Sequence, residues 1–392
     1  MLHSHTRTLP HFYTPAMDLP SLRRQEFPGL ASRIYLNSAS VGPLPLRSLR
    51  ELERWNDRRS RPWEISDAEQ FETMATARER SAALIGASPD EMAVTTNTSF
   101  GLSLAAAGLP FQRGDVVLFS AREFPANAYP WLALKERGVL AEVAPATPEG
   151  WPDEDYLVER LQDPRVKLLA VSLVQFSNGY AVDLARLSAA TRASGTLLVV
   201  DAIQGLGAMP VDVGATPVDV MSCGGQKWLM SPWGSGFTYV RREIQQRLRP
   251  AMIGWLAYEG TEDFTRLTRY ADQLHPDARK YELGTLPYQD IAAMNVSLEL
   301  VAQIGLPAIT AQIAKCQVPL LDWARRSDVR VTSPVGPRSS AILCLAPDDA
   351  AAMHRKLADA GVTCSLREGS LRFAPHWFNT VEEVEEVVEV LE

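Results

Sequence analysis

From Leu46 to about Ile85, apolar residues recur at helical spacing among many charges, which predicts a long helical stretch. Beyond it, short apolar runs alternate with helically patterned segments. Val116–Ser120, Leu168–Val174, Leu197–Asp201, Val218–Ser222 and Gly236–Val240 read as buried strands, and Asp183–Ser194 as one of the helices between them. Alternation of this kind predicts a mostly parallel sheet with helices on both faces. After about residue 260 the texture changes. Helix-like Ile291–Ile304 is followed by Val329–Val331, the apolar run Ala341–Leu345 and helix-like Asp348–Ala360. A strand pair near Val362–Leu366 and Leu371–Phe373 comes next, then an acidic helix from Thr380 to Glu392 with Val and Leu facing inward. The first 30 residues read as an irregular arm. The pattern therefore predicts three parts: an arm over 1–30, a large α/β domain over 31–260 and a smaller α+β domain over 261–392.

Composition narrows the class. The 392 residues exceed one typical core. A hydrophobic content of 46% with 22% charged residues reads as an ordinary globular protein. The net charge of -8 argues against nucleic acid or an anionic membrane as the main partner, since both call for basic surface. No run of eighteen or more apolar residues occurs, so no spanning helix is expected. Residues Met1 to Pro20 are rich in His, Thr and Pro and lack the marks of a secretory signal, so a cytoplasmic protein is expected. The four cysteines, Cys223, Cys316, Cys344 and Cys364, form no close pair, so neither a zinc site nor a redox dithiol is expected.

Three central strands each lead to a polar residue: Asn178 follows the first, Asp201 ends the second and Lys227 follows the third. Ligands of open parallel sheets bind at the carboxyl ends of strands, so these residues are expected to share one crevice. A partly desolvated lysine loses its proton readily and forms a Schiff base with a carbonyl. An aspartate beside a pyridine nitrogen keeps that nitrogen protonated, which draws electrons from a substrate α-carbon. This pairing points to pyridoxal 5'-phosphate (PLP), with Asn178 and Gln204 placed for its phenolic oxygen. The hydroxyl-rich stretch TTNTSFGLSLAAAG, Thr95 to Gly108, precedes a helix-like run and suits a phosphate. Thr98 and Ser99 are the candidates there, with Ser222 and Gln226 as further contacts. Taken singly, each residue has a plainer reading as surface charge or helix cap; the ordered combination favours the site. GLGAMP, Gly205 to Pro210, lacks the third glycine of a dinucleotide fingerprint, and no P-loop is present.

The stretches IYLNSASVGPLP, EFPANAYPW, VVDAIQGLGAMPVDV, GGQKWLMSPWGSGF, ELGTLPYQDIAAM and LRFAPHWFNTVEEV resemble the motifs of class V PLP-dependent enzymes of fold type I. That family includes cysteine desulfurases, isopenicillin N epimerase-like proteins and kynureninase. The resemblance runs from about Ile34 to the C-terminus. It implies that Phe124 stacks on the pyridine ring and that Arg372 grips the substrate carboxylate through paired hydrogen bonds. It places Asn37 in the segment bordering the substrate. It also implies a homodimer in which Thr285 reaches the phosphate of the neighbouring subunit. The substrate would be a small molecule, an amino acid or an amine. Departures bear on the reaction. Desulfurases carry histidine where Phe124 stands and a nucleophilic cysteine between the two arginines that Arg367 and Arg372 match. Here only Glu368, Gly369, Ser370 and Leu371 intervene, and Cys364 precedes Arg367, where packing is its simpler role. Gln226 stands before the lysine where desulfurases and many epimerase-like members have histidine and several aminotransferases have glutamine. Kynureninase shares the stacking Phe but has Tyr before the lysine. An aminotransferase is the leading expectation, an epimerase or lyase on an unusual amino acid the alternative. A desulfurase or selenocysteine lyase is disfavoured, and a non-catalytic binding module more so because Lys227 and Asp201 are both present. Trp233 and Trp255 are expected in the core or in the pocket, the core being the simpler expectation.

Overall fold

The computed structural model describes residues 18–392. Its α-helices are α1 (Leu19–Glu26), α2 (Leu46–Arg59), α3 (Asp67–Ile85), α4 (Thr98–Gly108), α5 (Tyr129–Leu132), α6 (Glu154–Arg160), α7 (Leu184–Ser194), α8 (Arg242–Gln245), α9 (Tyr288–Ile304), α10 (Leu306–Arg326), α11 (Ala350–Asp359) and α12 (Val381–Leu391). Its strands are β1 (Ile34–Tyr35), β2 (Met92–Thr95), β3 (Val116–Ser120), β4 (Leu140–Ala144), β5 (Val166–Ser172), β6 (Leu197–Asp201), β7 (Val220–Gly224) and β8 (Gly236–Val240), then β9 (Arg330–Val331), β10 (Leu343–Ala346), β11 (Val362–Thr363), β12 (Ser365–Arg367) and β13 (Ser370–Phe373).

The large sheet has seven strands in the order β2-β8-β7-β6-β5-β3-β4. Strands β7 through β4 in that order are parallel, and β8 runs antiparallel to both of its neighbours. Helices cover both faces, so β3, β6, β7 and β8 are buried at every position. That two-sided burial is why these strands read as unbroken apolar runs in the sequence. The fold is the α/β, mostly parallel arrangement that the alternation predicts. A second sheet, β12-β13-β10-β9, is antiparallel, and β1 pairs with β11 in parallel. The N-terminal strand thus packs with the C-terminal region, and Leu36 shares a cluster with Cys316, Trp323, Leu343 and Val387.

Several expectations shift. The single helix over 46–85 is two, α2 and α3, because Pro62 blocks continuation and Ser66 caps a new start by accepting the Glu69 N–H. Within the expected arm, residues 1–17 lie outside the described residues, and Leu19–Glu26 is helical with Asp18 as its cap. The pattern assigns nothing between 305 and 328, where the 21-residue α10 lies; its internal Pro319 reads in sequence as a breaker. The large-sheet core also extends past residue 260, taking in Ile291, Met294, Leu298, Ile309 and Ile313 of α9 and α10. Trp233 is 75% exposed and Trp255 39%, so neither belongs to the core. No single helix among the described residues is long and apolar enough to cross a membrane.

One close approach shapes the site. Helix α4 lies so near β7 and β8 that a Cβ on Gly101 would stand 2.4 Å from Ser222 Oγ and 2.3 Å from Thr238 Oγ1. Glycine is required there, and the α4 N-terminus is thereby pressed against the strand that leads to Lys227.

Candidate active site

Asp201, at the carboxyl end of β6, is buried, and its Oδ1 accepts the Ile203 N–H at 3.1 Å. Burial pushes its carboxyl up to about 6, while the Lys227 charge pulls the other way. Lys227 is half-buried on the loop after β7. Burial lowers its ammonium to about 8, with Asp201 opposing and Arg372 adding to the shift. Phe124 is 46% exposed, with its ring centroid 5.7 Å from Lys227 Nζ and 5.2 Å from the Phe176 ring, edge to face. An aromatic face is therefore held open to solvent beside the lysine.

The α4 N-terminus sits against this group. Asn97 caps it through the Phe100 N–H, and the Thr98 hydroxyl accepts the Gly224 N–H at 2.9 Å. The Thr98 and Ser99 N–H groups belong to the first turn, where no intrahelical acceptor exists, and Ser99 is exposed. Gln226 makes no side-chain hydrogen bond among the described residues, and its carbonyl accepts the Gly42 N–H at 2.8 Å. Gly42 approaches so closely that a Cβ would lie 2.1 Å from the Lys227 carbonyl oxygen.

Two expected contacts are modified. Ser222 donates its only hydroxyl proton to the Thr98 carbonyl at 3.0 Å, so it braces α4 and has no proton left for a phosphate. The amides of Asn178 and Gln204 are already engaged. Asn178 donates to the Gly150 carbonyl and accepts the Tyr180 N–H, at 3.0 and 2.9 Å. Gln204 donates to the Ala39 carbonyl and accepts the Trp228 indole N–H, at 3.0 and 2.9 Å. Each amide nitrogen keeps a second proton, and any contact to a ring oxygen falls to that one.

Arg372, on β13, is 2% exposed. It donates to the Phe176 carbonyl and to Ser40 Oγ, both at 2.8 Å, and its buried Nε has no acceptor. Among the described residues it has no ion-pair partner. Burial presses the guanidinium down to about 10, so it stays charged at neutral pH. An uncompensated buried cation is expensive, so an anion placed beside this one would be stabilised. Asn37 supports it from behind: Asn37 Oδ1 accepts from Ser40 Oγ at 2.8 Å and from Ser365 Oγ at 2.7 Å. Thr285 is exposed with a left-handed φ of 55°. It lines a separate cleft of about 220 Å³ with Trp55, Arg59 and Tyr288, whose walls include none of the residues around Lys227.

Sequence reasoning missed two residues. His376, within the quoted C-terminal motif, is fully buried; its Nδ1 accepts the Trp377 N–H at 2.7 Å, so Nε2 carries the proton to the Trp228 carbonyl at 2.9 Å. Burial lowers it to about 4, leaving it neutral and structural, a pin on the residue after Lys227. Glu123, beside Phe124, binds Ser172 through its carboxyl. Nothing in the chain's local pattern announces either partner.

The four thiols are buried and free, and burial raises all of them: Cys344 to about 11, Cys316 and Cys364 to about 12, and Cys223 further. None is an activated nucleophile.

A lysine of lowered basicity, a buried acid at a strand end, an open aromatic face, a free helix N-terminus and an unpaired guanidinium together define an α/β enzyme built for an anionic cofactor with a reactive carbonyl. The sequence matches the aminotransferase class-V family over residues 34–386, and the chain belongs to that family of PLP-dependent enzymes. Its cofactor is pyridoxal 5'-phosphate. An uncharacterized aminotransferase, YcbU, of Bacillus subtilis strain 168 is 28% identical over 95% of this chain and 97% of its own length. A probable cysteine desulfurase of Methanothermobacter thermautotrophicus is 31% identical over 73% of this chain and 71% of its own. The isopenicillin N epimerase of Amycolatopsis lactamdurans is 31% identical over 56% of this chain and 57% of its own. Among solved structures, the apo cysteine desulfurase of Thermococcus onnurineus NA1 superposes with a TM-score of 0.85 at 22% identity, covering 96% of this chain and 98% of that one. A C-DES mutant with glycine covalently linked to its PLP cofactor gives a TM-score of 0.85 at 20% identity, over 94% and 98%. These two likenesses carry the fold.

Proposed function

We propose that this enzyme is an aminotransferase acting on an amino acid or amine. The carrying observation is that, among the described residues, Lys227 is the one side chain around the site free to move protons. The four thiols are buried and protonated, both His376 nitrogens are engaged, and Glu123 is tied to Ser172. Transamination needs one base that serves two carbons and no side-chain nucleophile.

Bound PLP supplies an electron-withdrawing ring that stabilises charge at the substrate α-carbon. Asp201 sits to hold the ring nitrogen protonated, and Phe124 covers one face. The first-turn N–H groups of Thr98 and Ser99, with Gln226, receive the phosphate; Thr285 of the partner subunit completes that cradle in a homodimer. The second amide protons of Asn178 and Gln204 are left for the ring oxygen. Arg372, aligned by the Asn37–Ser40 pair, takes the substrate carboxylate. Lys227 Nζ would hold the cofactor and, once the substrate amine has displaced it, would take the α-proton and return it at the neighbouring carbon. Four unpaired thiols suit a reducing cytoplasm.

A second reading, epimerisation, is favoured by the likeness to isopenicillin N epimerase; there Lys227 would return the proton to the α-carbon itself. Incubation with single amino acids separates the two. Transamination yields a keto acid and the amine form of the cofactor. Loss of α-deuterium without amine transfer would favour epimerisation, and release of a β- or γ-substituent a lyase.

A further inference from the structure

Three adjacent strand ends of the large sheet lie in one register row. Ser172 of β5 pairs with Asp201 of β6, which pairs with Ser222 of β7. Both ends of this row are tied to segments outside the sheet. On one side Ser222 Oγ holds the Thr98 carbonyl at 3.0 Å, fixing the α4 N-terminus. On the other, the Glu123 carboxyl accepts the Ser172 backbone N–H at 2.9 Å and contacts the Ser172 hydroxyl. Glu123 immediately precedes Phe124, whose ring overlies Lys227 Nζ. The neighbouring Arg122 turns away, its guanidinium 3.7 Å from Glu368. Glu123 therefore spans 49 residues of chain to reach a strand end that abuts Asp201.

We propose that Glu123 is a positioning residue: by tying the Phe124 segment to the end of β5, it sets the aromatic face at the height of Asp201, so that one bound ring meets both. The idea rests on the assignment of Lys227, Asp201 and Phe124 to the cofactor. The tie works through hydrogen bonding, not through charge. Burial, with the Asp201 charge adding to it, pushes the Glu123 carboxyl up to about 7, and two neighbouring buried carboxyls resist being ionised together. A glutamine at 123 has the same shape. Its carbonyl accepts the Ser172 N–H and its amide donates to Ser172 Oγ. An alanine has neither group, and an aspartate is one methylene too short to reach both.

The test uses full-length wild type and the variants Glu123→Gln, Glu123→Ala and Glu123→Asp. PLP itself is the probe, with apo-enzyme affinity read by tryptophan fluorescence and the lysine-bound cofactor by its visible band and that band's pH midpoint. Glu123→Ala is expected to weaken PLP affinity roughly tenfold and to move the band, the size of one lost buried hydrogen bond, and Glu123→Asp to do the same in part. Glu123→Gln is expected to stay within about threefold of wild type with an unmoved band. If Glu123→Ala does not fold, Glu123→Asp carries the comparison. Unchanged affinity and band in Glu123→Ala or, should that fail to fold, in Glu123→Asp would overturn the proposal. So would damage in Glu123→Gln equal to that in Glu123→Ala, because charge and not the tie would then be at work. A wild type with no visible band and no cofactor on Lys227 would instead sink the site assignment itself.

Discussion

The strand-end row of the large sheet and the β12–β13 hairpin both bear on Lys227, and they are built on opposite principles. The row is buried and takes its polar groups from three consecutive strands in strict register. The hairpin is open: Arg367, Glu368 and Gly369 are exposed, and Glu368 and Gly369 both turn through left-handed φ, at 47° and 78°. Ladder hydrogen bonds leave the row no freedom, whereas a surface turn tolerates changes of length. On the proposed reading the row would hold the cofactor, and the hairpin is the part of the site whose length is free to vary. In this chain the hairpin joins β12 directly to β13, with Arg367 opposite Ser370, and Cys364 lies buried before it.

Five experiments press on that contrast. The largest effect belongs to the row: Lys227→Ala is expected to lower amine transfer by about a thousandfold or more, and borohydride should leave no cofactor mass on its peptide. Turnover at the normal rate would remove the lysine from the mechanism. Next, on the hairpin strand, Arg372→Ala is expected to cut kcat/KM about 10- to 100-fold, mostly through KM, because a charged hydrogen-bonding anchor is lost. The visible cofactor band should stay unchanged, which separates substrate binding from cofactor binding.

The lysine also sets a pH dependence. Its ammonium is lowered to about 8, so PLP uptake by the apo-enzyme should rise about tenfold per pH unit below that value and level off above it. Stopped-flow absorbance reads this directly; a profile still climbing through pH 10 would mean an unperturbed lysine. His376, which joins the two regions, gives a stability effect of defined sign. Its folded value is pushed below the unfolded one, to about 4, so the unfolded chain binds the extra proton as pH falls from 6.5. Stability is lost across that window, by about 3 kcal/mol at most. Asp201 and Glu123 are shifted upward and act in the opposite direction, so the quantity to read is the difference between wild type and His376→Gln in thermal melts at pH 4.5 and 7. A constant difference between the two pH values would show that His376 does not titrate as argued.

The smallest effect is the sharpest on reaction type. Cys364→Ala is expected to change turnover by less than about twofold, since a buried thiol raised to about 12 holds no thiolate. A loss of tenfold or more would mean that the hairpin region carries a nucleophile, and the aminotransferase reading would give way to a desulfurase-like one.

Legibility followed the range of the interactions. β3, β6 and β8 stand at the bounds read from the apolar runs, because strands covered on both faces leave an unbroken signature. α10 was illegible because Pro307 and Pro319 look like stops, yet Pro307 lies in the first turn and Pro319 is carried within the packed helix. The site divides in the same way. Asp201 and Lys227 announce themselves by standing at strand ends. The engagement of Gln204 with Trp228, and of Ser222 with Thr98, depends on partners 24 and 124 residues distant, which no local pattern encodes.

Residue order alone determined the kind of chemistry: a lysine, an acid and an amide delivered by successive strands to one edge of a parallel sheet, because side-chain period and strand polarity are local properties. Only the folded chain decided which groups remain free to act there. It gave Ser222 and His376 to bracing, tied Glu123 to a distant strand end, buried the four thiols and left Arg372 with no ion-pair partner among the described residues. Burial and hydrogen-bond pairing are set by neighbours far along the chain, and those neighbours exist only once the tertiary structure has formed.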